Sequence, residues 1–315
     1  MRARKLLILG GSGFVGHYLL PRLGKAGHTV TVLTRNRAQH RELGLIPGVH
    51  LCNGDVHDAG VLAEHLSGQD AVINLVGILN ESGDDSFQKV HVELTEKLIT
   101  ACQRAGVARL LQISALKAGQ GLSEYLKSRG RTEQRIKSSQ LDWTLLQSSV
   151  MFGPGDGLVS RFGGLLRLTP VLPLPRPHAR MAPVYVDDIA RAVVRCLDDT
   201  ATRQKTMELY GPDILSLIEI VRMIASAMGK RRWIIGMPDG LGKLQASVAG
   251  LMPGKPFTRD NFLSLRTDSV GTRDSLRELG IEPHSLSVML PQMVSHQSRA
   301  QRYDRMRSHL GEQRT

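Results

Sequence analysis

Residues 5–16 read KLLILGGSGFVG, and this stretch decides the fold. The apolar run Leu6–Leu9 stops at a pair of glycines, which is typical of a short buried strand. Apolar residues at helical spacing follow from Val15 to Ala26. The order of strand, turn and helix makes a G-x-x-G-x-x-G pattern indicative of dinucleotide binding, and the pattern here consists of Gly10, Gly13 and Gly16.

Different tasks are predicted for the three glycines. Gly10 allows a sharp turn, Gly13 lets the backbone approach a pyrophosphate, and Gly16 lets the helix pack closely on the strand. Phe14 and Val15 follow at the start of the helix, whose N-terminus offers free N–H groups and the positive end of the helix dipole to the phosphates. The alternative is a tight turn that binds no ligand.

The residues after the second strand indicate which dinucleotide is bound. NAD-dependent enzymes place an acid there for the ribose hydroxyls, whereas this chain has Thr34-Arg35-Asn36-Arg37 and no acid before Glu42. A guanidinium clamps a phosphate through charge-assisted hydrogen bonds. We therefore predict NADP as the cofactor, with NADPH favoured over NADH, Arg35 as the first candidate for the 2′-phosphate and Arg37 as the second. The alternative for each arginine is a surface charge without a ligand.

Two further strand ends supply predicted cofactor contacts. Asp55 and Val56 follow the third strand, at the sheet edge where ligands bind in open α/β folds, and Asp55 can accept from an adenine amino group. Val76 and Gly77 follow the fourth strand, where a glycine would let the backbone pass close to the cofactor ribose. The alternatives are a helix cap at Asp55, a task that Asp58 can also perform, and a simple turn at Gly77.

Strands and helices alternate regularly up to residue 150. This alternation predicts parallel strands with right-handed crossovers. The expected fold is α/β, with a doubly wound parallel Rossmann sheet over residues 1–150 and a smaller C-terminal α/β substrate region. Six strands are predicted at Leu6–Leu9, Thr29–Leu33, Val49–Cys52, Ala71–Val76, Leu110–Ile113 and Trp143–Leu146, and four helices at Val15–Ala26, Asp58–Leu66, Phe87–Ala105 and Glu124–Ser138.

The chain changes character after Val150. Glycine and proline are dense between residues 153 and 183, and a substrate or interaction region is expected over 151–296, partly interleaved with the first domain. Residues 297–315 hold five arginines against one aspartate and one glutamate and form a basic C-terminal tail. Between Trp233 and Pro256, a stripe at helical spacing predicts a core-facing helix, with a membrane-surface helix as the alternative; it consists of Leu241, Leu244, Val248 and Leu251.

Composition narrows the classes of partner. The formal net charge of +12 favours anionic partners, namely phosphates, nucleic acid or an anionic membrane surface, with a solvated basic face as the alternative. Aromatic residues make up only 4% of the chain, and no helix-turn-helix or RNA-binding signature is visible, so nucleic acid is not expected as a partner.

The three cysteines, Cys52, Cys102 and Cys196, lack the spacing of metal ligands. This predicts free thiols, no metal site and a reducing, cytoplasmic compartment. The apolar part of the N-terminus is too short for a signal core or a membrane span.

The motifs of this chain resemble the extended or atypical short-chain dehydrogenase/reductase superfamily, with its epimerase/dehydratase-like architecture. Within it, the chain is similar to the NADPH-binding accessory subunit of respiratory complex I and its bacterial relatives. The resemblance runs from Lys5 to about Leu197, with a further match in PFTRDNFLSLRTDSV, and rests on GGSGFVG, GDV, NLVGIL, FQKVHVELTEKLITACQRAGVARLLQIS and PVYVDDIARAV. It implies an NADP(H)-binding protein associated with a membrane complex and peripheral to the inner membrane.

The resemblance also implies an active site of Ser, Tyr and Lys, in which the tyrosine of a Y-x-x-x-K motif is the general acid or base. By position, Ser114 matches the serine and Tyr125 the tyrosine, but Arg129 stands where the family has lysine. Arginine can supply positive charge and hydrogen bonds to a ribose, but it cannot give up a proton. Lys127 lies two residues from Tyr125, points away on a helix and is a poor substitute.

Three functions are compatible with these features. Arg129 favours an NADP(H)-binding or redox-sensing subunit with little turnover. Ser114 and Tyr125 favour a working NADP(H)-dependent oxidoreductase, epimerase or dehydratase, whose small-molecule substrate the sequence does not name. The apolar stripe and the basic tail favour a membrane-peripheral assembly factor.

Overall fold

The computed structural model of the protein describes residues 2–250 and 257–294. In chain order, its strands are β1 (Lys5–Leu9), β2 (Thr29–Thr34), β3 (Val49–Asn53), β4 (Ala71–Asn74), β5 (Arg109–Ala115), β6 (Asp142–Ser148), β7 (Met151–Phe152), β8 (Val171–Pro175), β9 (Arg180–Met181), β10 (Val184–Tyr185), β11 (Lys205–Leu209), β12 (Leu215–Ser216) and β13 (Trp233–Met237). The helices are α1 (Phe14–Lys25), α2 (Ala59–Leu66), α3 (Leu94–Ala105), α4 (Glu124–Lys137), α5 (Leu158–Leu168), α6 (Val186–Asp198), α7 (Leu217–Ala227), α8 (Asp239–Ala249), α9 (Arg259–Ser264) and α10 (Ser275–Glu278).

A seven-stranded parallel sheet lies at the centre of the molecule. Its strand order is β11-β6-β5-β4-β1-β2-β3, and each neighbouring pair is parallel. The order reverses direction between β1 and β4, so the carboxyl ends of these strands flank the crevice where ligands bind in doubly wound sheets. The prediction of a doubly wound α/β fold is confirmed.

Helices cover both faces of this sheet, because each strand carries apolar residues on both sides. Leu6 and Ile8 of β1 face the layer formed by α1 and α6, whereas Leu7 and Leu9 face the layer formed by α2, α3 and α4. All four side chains are fully buried. The alternation along β1 therefore places α1, which follows the glycine-rich turn, on one face, with α4 on the other.

The second half of the chain contributes to two units. β11 extends the central sheet beside β6, and α6 packs against α1. A third apolar core includes residues of β8, α5 and α7. Two elements after residue 150, β11 and α6, are thus part of the central sheet and its helical layer, while the domain boundaries remain a prediction. The basic tail, 297–315, lies outside the described residues.

The predicted long helix at Phe87–Ala105 has two parts. A π-helical turn spans Gln88–Glu93, and α3 follows and ends at Gly106, whose φ is +72°. The extra residue of a π turn shifts the helix face, and such turns are frequent at functional sites. Here the turn directs His91 into the interior.

The apolar stripe of α8 does not face the core. Leu241 is 54% exposed and Leu244 is 61% exposed, so the core-facing interpretation is wrong for both. Gly242 and Ala246 are the buried positions, because α8 lies so close to its neighbours that a β-carbon at Gly242 would come within 2.8 Å of the Phe262 ring. The side chain of Val248 and residue Leu251 lie outside the described residues. In the described part of the chain, no helix is both long and apolar enough to cross a membrane.

The cysteines are free thiols. Cys102 and Cys196 are buried, and burial raises the pKa of each thiol to about 12. Cys52 is half-buried at the end of β3. Burial therefore keeps Cys102 and Cys196 protonated and unreactive.

Candidate functional site

The glycine-rich turn joins β1 to α1 at the carboxyl edge of the sheet. Gly10 has a φ of +73°, and a β-carbon there would lie 3.0 Å from the backbone nitrogen of Val76. A β-carbon at Gly16 would lie 1.8 Å from the carbonyl oxygen of Gly11. Both glycines are therefore needed for the packing of the turn itself, whether or not a ligand is bound.

Gly13 differs, because its backbone conformation suits any residue. Its φ is −88°, and apart from its chain neighbours the one described atom within 4 Å of a β-carbon would be the Gly10 carbonyl oxygen, at 3.2 Å. No side chain caps α1, and its first turn contains no acid. Free N–H groups, the positive end of the helix dipole and open space beside Gly13 fit a pyrophosphate.

The end of β2 presents arginines to solvent. The Arg35 side chain is 78% exposed, and its Nη1 lies 3.6 Å from Oδ2 of Asp85, in the loop after β4. Arg37 is also exposed, and its backbone N–H donates to Oδ1 of Asn53 at 2.9 Å. Asp85 is an acid that local sequence does not reveal here, since it reaches β2 only through the fold. Its carboxylate would compete with a 2′-phosphate for Arg35.

Two aspartates follow β3, and only one of them caps a helix. Asp58 caps α2 by accepting from the backbone N–H groups of Gly60 and Val61. Asp55 is exposed and accepts from the backbone N–H of His57 at 2.9 Å. Because Asp58 performs the capping, Asp55 remains at the sheet edge, where the predicted adenine contact requires it. Val56 is half-buried against the core beneath α2.

Arg129 extends from α4 into the gap between the ends of β4 and β5. The residue is only 6% exposed, and its Nη1 donates to the Ile113 carbonyl oxygen at 3.3 Å. A β-carbon on Gly77 would lie 1.9 Å from Nη2 of Arg129, so the glycine makes room for this guanidinium. The Nε atom is buried and has no hydrogen-bond partner within the described chain. The guanidinium thus retains an unused donor at the predicted position of the cofactor ribose.

Tyr125 lies on the same face of α4, one turn before Arg129. Its ring is half-buried, and the Arg129 guanidinium carbon lies 5.7 Å from the ring centroid. Phe87 and His91 contact the ring edge-on, with centroid separations of 6.0 and 5.8 Å. Lys127 points away and forms an ion pair with Glu124 at 2.8 Å. The fold therefore brings Tyr125 and Arg129 together and leaves Lys127 outside.

Ser114 is not paired with Tyr125. Its hydroxyl donates to Oε1 of Glu133 at 2.6 Å, and Gln147 donates to the same buried carboxylate. Glu133 follows Tyr125 by eight positions in α4, which is roughly 12 Å along the helix axis at the usual rise per residue. The described hydrogen bond of the Ser114 hydroxyl is therefore made with Glu133 and not with Tyr125.

A buried histidine connects the loop after β4 with α4. The backbone N–H of Ile78 donates to Nε2 of His91 at 3.1 Å, which assigns the proton of the neutral ring to Nδ1. Nδ1 then donates to Ser128 Oγ at 2.8 Å, and Ser128 donates to the Tyr125 carbonyl oxygen at 2.8 Å. Burial, assisted by the charge of Arg129, lowers the pKa of His91 to about 2. His91 is thus a neutral structural link beneath Tyr125, and the sequence contained no signal for it beyond its place in the FQKVHVEL motif.

The stretch PFTRDNFLSLRTDSV closes this region from the C-terminal side. Asp260 of α9 accepts from the backbone N–H groups of Glu124 and Tyr125, at 2.6 and 3.1 Å. Asn261 donates to the Leu79 carbonyl oxygen at 3.2 Å. α9 therefore joins the loop after β4 to the first turn of α4, and it fills the N-terminus of α4 with a carboxylate of the protein.

A cavity of about 490 Å³ opens beyond α9, in the C-terminal half of the chain, and its lining residues lie between Arg176 and Asp268. Leu265 and Arg266, which directly follow α9, form one wall. The ends of β8 and β13 form the others, with Arg176, His178 and Asp239 among the lining residues. A volume of this size suits a small molecule, and the mixed charges suit a polar one.

Replacing His91 with asparagine is expected to flatten the pH dependence of stability. The pKa of this histidine is about 2 in the folded chain and about 6.5 in the unfolded chain, so the unfolded state alone takes up a proton as the pH falls below about 6.5. Between about pH 6 and about pH 4, the free energy of unfolding of the wild type should fall more steeply than that of His91→Asn, by about 1.4 kcal/mol per pH unit. Urea unfolding at a series of pH values measures both slopes.

His50→Asn, at an exposed position of β3, is the matched control for the loss of a histidine. Parallel curves for the wild type and His91→Asn would contradict the neutral assignment.

Solved structures of other proteins share the fold of this chain. An NADPH-dependent quinone oxidoreductase from Escherichia coli, solved with NADPH, superposes with a TM-score of 0.73 at 20% identity and covers 92% of this chain and 99% of its own. A nucleoside-diphosphate-sugar epimerase from Staphylococcus aureus gives a TM-score of 0.71 at 17% identity, covering 91% and 99%. Both are similar to this chain in their Rossmann architecture.

Curated relatives are similar over most of the chain. The NADH dehydrogenase [ubiquinone] 1 alpha subcomplex subunit 9 of Arabidopsis thaliana is 27% identical, covering 89% of this chain and 74% of its own. The ceramide reductase of Caulobacter vibrioides is 26% identical, covering 74% and 73%. A model of the family described as NAD(P)H-binding matches residues 10–200. From the glycine turn at Gly10 to the end of α6, the sequence fits that model, and the chain belongs to the NAD(P)H-binding family.

Proposed function

We propose that the chain is an NADP(H)-binding protein with little or no turnover, which serves a larger complex as an accessory subunit. The observation that carries the proposal is the buried guanidinium of Arg129 beside Tyr125. Arginine stays protonated in proteins, so it cannot relay a proton to or from the tyrosine. Similarity to complex I alpha subcomplex subunits over 89% of this chain supports the accessory role.

The residues at the carboxyl edge fit the parts of a dinucleotide. The N-terminus of α1 and the open space at Gly13 would hold the pyrophosphate, and Arg35 would hold the 2′-phosphate. Asp55 would accept from the adenine amino group, and the free Nε of Arg129 would donate to a ribose hydroxyl. A nicotinamide bound there would supply or accept a hydride.

Two contacts support low turnover. Ser114 donates to buried Glu133, so its hydroxyl is not directed at a substrate beside Tyr125. The Arg129 guanidinium donates to the Ile113 carbonyl oxygen and fills the space beside Gly77, which holds it in a fixed position. The cofactor in this proposal has a structural or sensing role.

The second candidate is an active NADP(H)-dependent reductase, epimerase or dehydratase. It is favoured by the half-buried Tyr125 next to a positive charge and by the 490 Å³ cavity beyond α9. Relatives named as a ceramide reductase and an NADPH-dependent quinone oxidoreductase support this candidate. Their substrates differ, so the substrate class of this chain would have to be found by assay.

We also propose that the chain acts in the cytoplasm, peripheral to the inner membrane. The exposed Leu241 and Leu244 of α8 support membrane contact, because exposed leucines at helical spacing are a feature of interfacial helices. The net charge of +12 favours an anionic surface.

NADPH is expected to bind more tightly than NADH, and Arg35→Ala is expected to remove most of the difference. The loss should be about 1.5–3 kcal/mol for NADPH, the range for hydrogen bonds to charged groups, with little change for NADH. Titration calorimetry with both cofactors measures it. Asp85→Asn removes the carboxylate that competes for Arg35 and should raise the NADPH preference, whereas Arg37→Ala is the matched control at the second arginine. Equal affinities of the wild type for both cofactors would contradict the prediction.

Gly13→Val is expected to abolish dinucleotide binding in a folded protein. Its φ suits valine, and apart from its chain neighbours the one described atom that a β-carbon would meet within 4 Å is the Gly10 carbonyl oxygen, at 3.2 Å. The side chain would therefore mainly occupy the space of the pyrophosphate, at a stability loss of about 1 kcal/mol for the helix N-cap. Gly16→Val is the contrasting variant, since its β-carbon would overlap the Gly11 carbonyl oxygen and the fold should be lost. Thermal unfolding and calorimetry distinguish the two. Retained affinity in folded Gly13→Val would show that the phosphates bind elsewhere.

Bound NADPH is expected to be oxidised slowly by simple carbonyls, sugar nucleotides and quinones, at a rate that Tyr125→Phe does not change. Arg129→Lys should alter cofactor affinity only modestly and should not restore turnover, because Ser114 remains paired with Glu133. Absorbance of bound NADPH in single-turnover experiments gives the rates. Fast oxidation by any of these substrates, lost by a factor of about 10²–10⁴ in Tyr125→Phe, would establish the reductase candidate instead.

A further inference from the structure

An apolar face is exposed on the two-stranded parallel ribbon of β8 and β13. Trp233 pairs in register with Val171, and Ile235 pairs with Pro173. These four residues, which we call the ribbon face, are all exposed; Trp233 is 75% and Ile235 is 52% accessible. The alternate residues Leu172 and Leu174 are buried in the third core. The ribbon therefore uses one side for packing and leaves the other without cover from the described residues.

The ribbon face continues into the end of α5. Leu168, the last residue of α5, is 81% exposed. The backbone N–H of Trp233 donates to the Pro170 carbonyl oxygen at 3.0 Å, so the segment that follows Leu168 lies alongside Trp233. A tryptophan, an isoleucine and a valine on one face of the ribbon, with an exposed leucine three residues before Val171, differ from the isolated exposed apolar residues usual on proteins.

Basic residues border this surface, and acids are absent from the segments that build it. No Asp or Glu occurs in residues 157–186 or in residues 220–238. Arg167, Lys230 and Arg231 are exposed at the end where Trp233 lies. Arg232 donates from Nε to the Leu166 carbonyl oxygen at 2.8 Å and thereby holds this basic segment against α5.

The acids next along the chain are already engaged. Asp239, directly after β13, lies 3.4 Å from Arg176. Glu219 closes the capping box of α7 with Ser216. The positive charge of Arg167, Lys230 and Arg231 is therefore not cancelled by these neighbours.

We propose that the ribbon face docks on an anionic lipid bilayer. Tryptophan prefers the headgroup level of a membrane, aliphatic side chains enter the acyl boundary, and exposed Lys and Arg are attracted to anionic lipids. A second copy of the chain is a poorer occupant, since a symmetric pair would bring the same basic residues toward each other. The inference rests on the peripheral association proposed above, assigns it to β8 and β13, and does not depend on the cofactor.

Trp233 itself reports on docking. The chain has two tryptophans, and the other, Trp143, lies in β6 of the central sheet and is buried at 8% exposure. With full-length protein, vesicles of phosphatidylcholine and phosphatidylglycerol should shift the tryptophan emission to the blue and carry the chain in flotation. Vesicles of phosphatidylcholine alone should do neither. Added salt should weaken binding, because screening acts on exposed charges.

Matched variants locate the surface. Lys230→Glu/Arg231→Glu and, separately, Trp233→Ser/Ile235→Ser should each lower partitioning to anionic vesicles by about tenfold or more. Lys25→Glu/Arg104→Glu changes the net charge equally at exposed positions of α1 and α3, and Leu45→Ser removes a leucine that is 84% exposed elsewhere. Both controls should bind vesicles like the wild type, and every variant should keep its thermal transition and NADPH affinity.

The outcomes separate this inference from the proposals before it. If the wild type binds anionic vesicles and the ribbon variants bind equally well, the ribbon face is not the docking surface, although peripheral association stands; a loss confined to Leu241→Ser/Leu244→Ser would assign it to α8. If the wild type binds neither kind of vesicle, the peripheral association itself fails. Self-association in sedimentation that requires Trp233 would make the ribbon face a contact between copies and overturn the inference. NADPH affinity in the same samples tests the cofactor proposal independently.

Discussion

The structure depends on the absence of two β-carbons, at Gly10 and Gly16. With hydrogen at these positions, the turn after β1 lies against the end of β4, and α1 begins in contact with the turn. A side chain at either would push the helix away from the sheet and separate the two strands that flank the ligand crevice. Gly13, the N-cap of α1, has no side chain that could cap the helix, so the N–H groups of the first turn of α1 face the crevice that the other two glycines shape.

A second close packing shapes the opposite side of the crevice. Gly77 accommodates the guanidinium of Arg129, and His91 holds the loop after β4 to α4 through Ser128. Asp260 reaches the first turn of α4 from a segment far along the chain. Tyr125 is thus surrounded by fixed groups that position it. Of the other two residues that the family resemblance implies, the serine, Ser114, donates to Glu133, and arginine replaces the lysine. This arrangement supports the proposed binding role with little turnover.

Charge and apolar surface are distributed unevenly between the two units. In the Rossmann unit, Arg129 is buried and Arg35 lies near Asp85. In the small unit, basic residues lie beside exposed apolar ones on the ribbon of β8 and β13. These different surroundings support the two proposals, a small anionic ligand for the first set and an extended anionic surface for the second.

The sequence by itself determined the α/β class, the strands and α-helices up to residue 150 within a few residues of most of their ends, the dinucleotide turn and the family, but not the 3₁₀ segment Arg37–Leu45 or the π turn before α3. These features follow from local rules, because strand and helix periods, helix stops and the glycine spacing act within a few residues of one another. Only the tertiary structure decided that Asp85 faces Arg35, that Ser114 pairs with Glu133, that β11 joins the main sheet and that Leu241 and Leu244 face outward. Each of these features results from contacts between segments far apart in the chain. Hydrophobic periodicity does not encode which partner a polar side chain meets. It also does not encode which side of a helix packs so closely on a neighbour that only glycine fits.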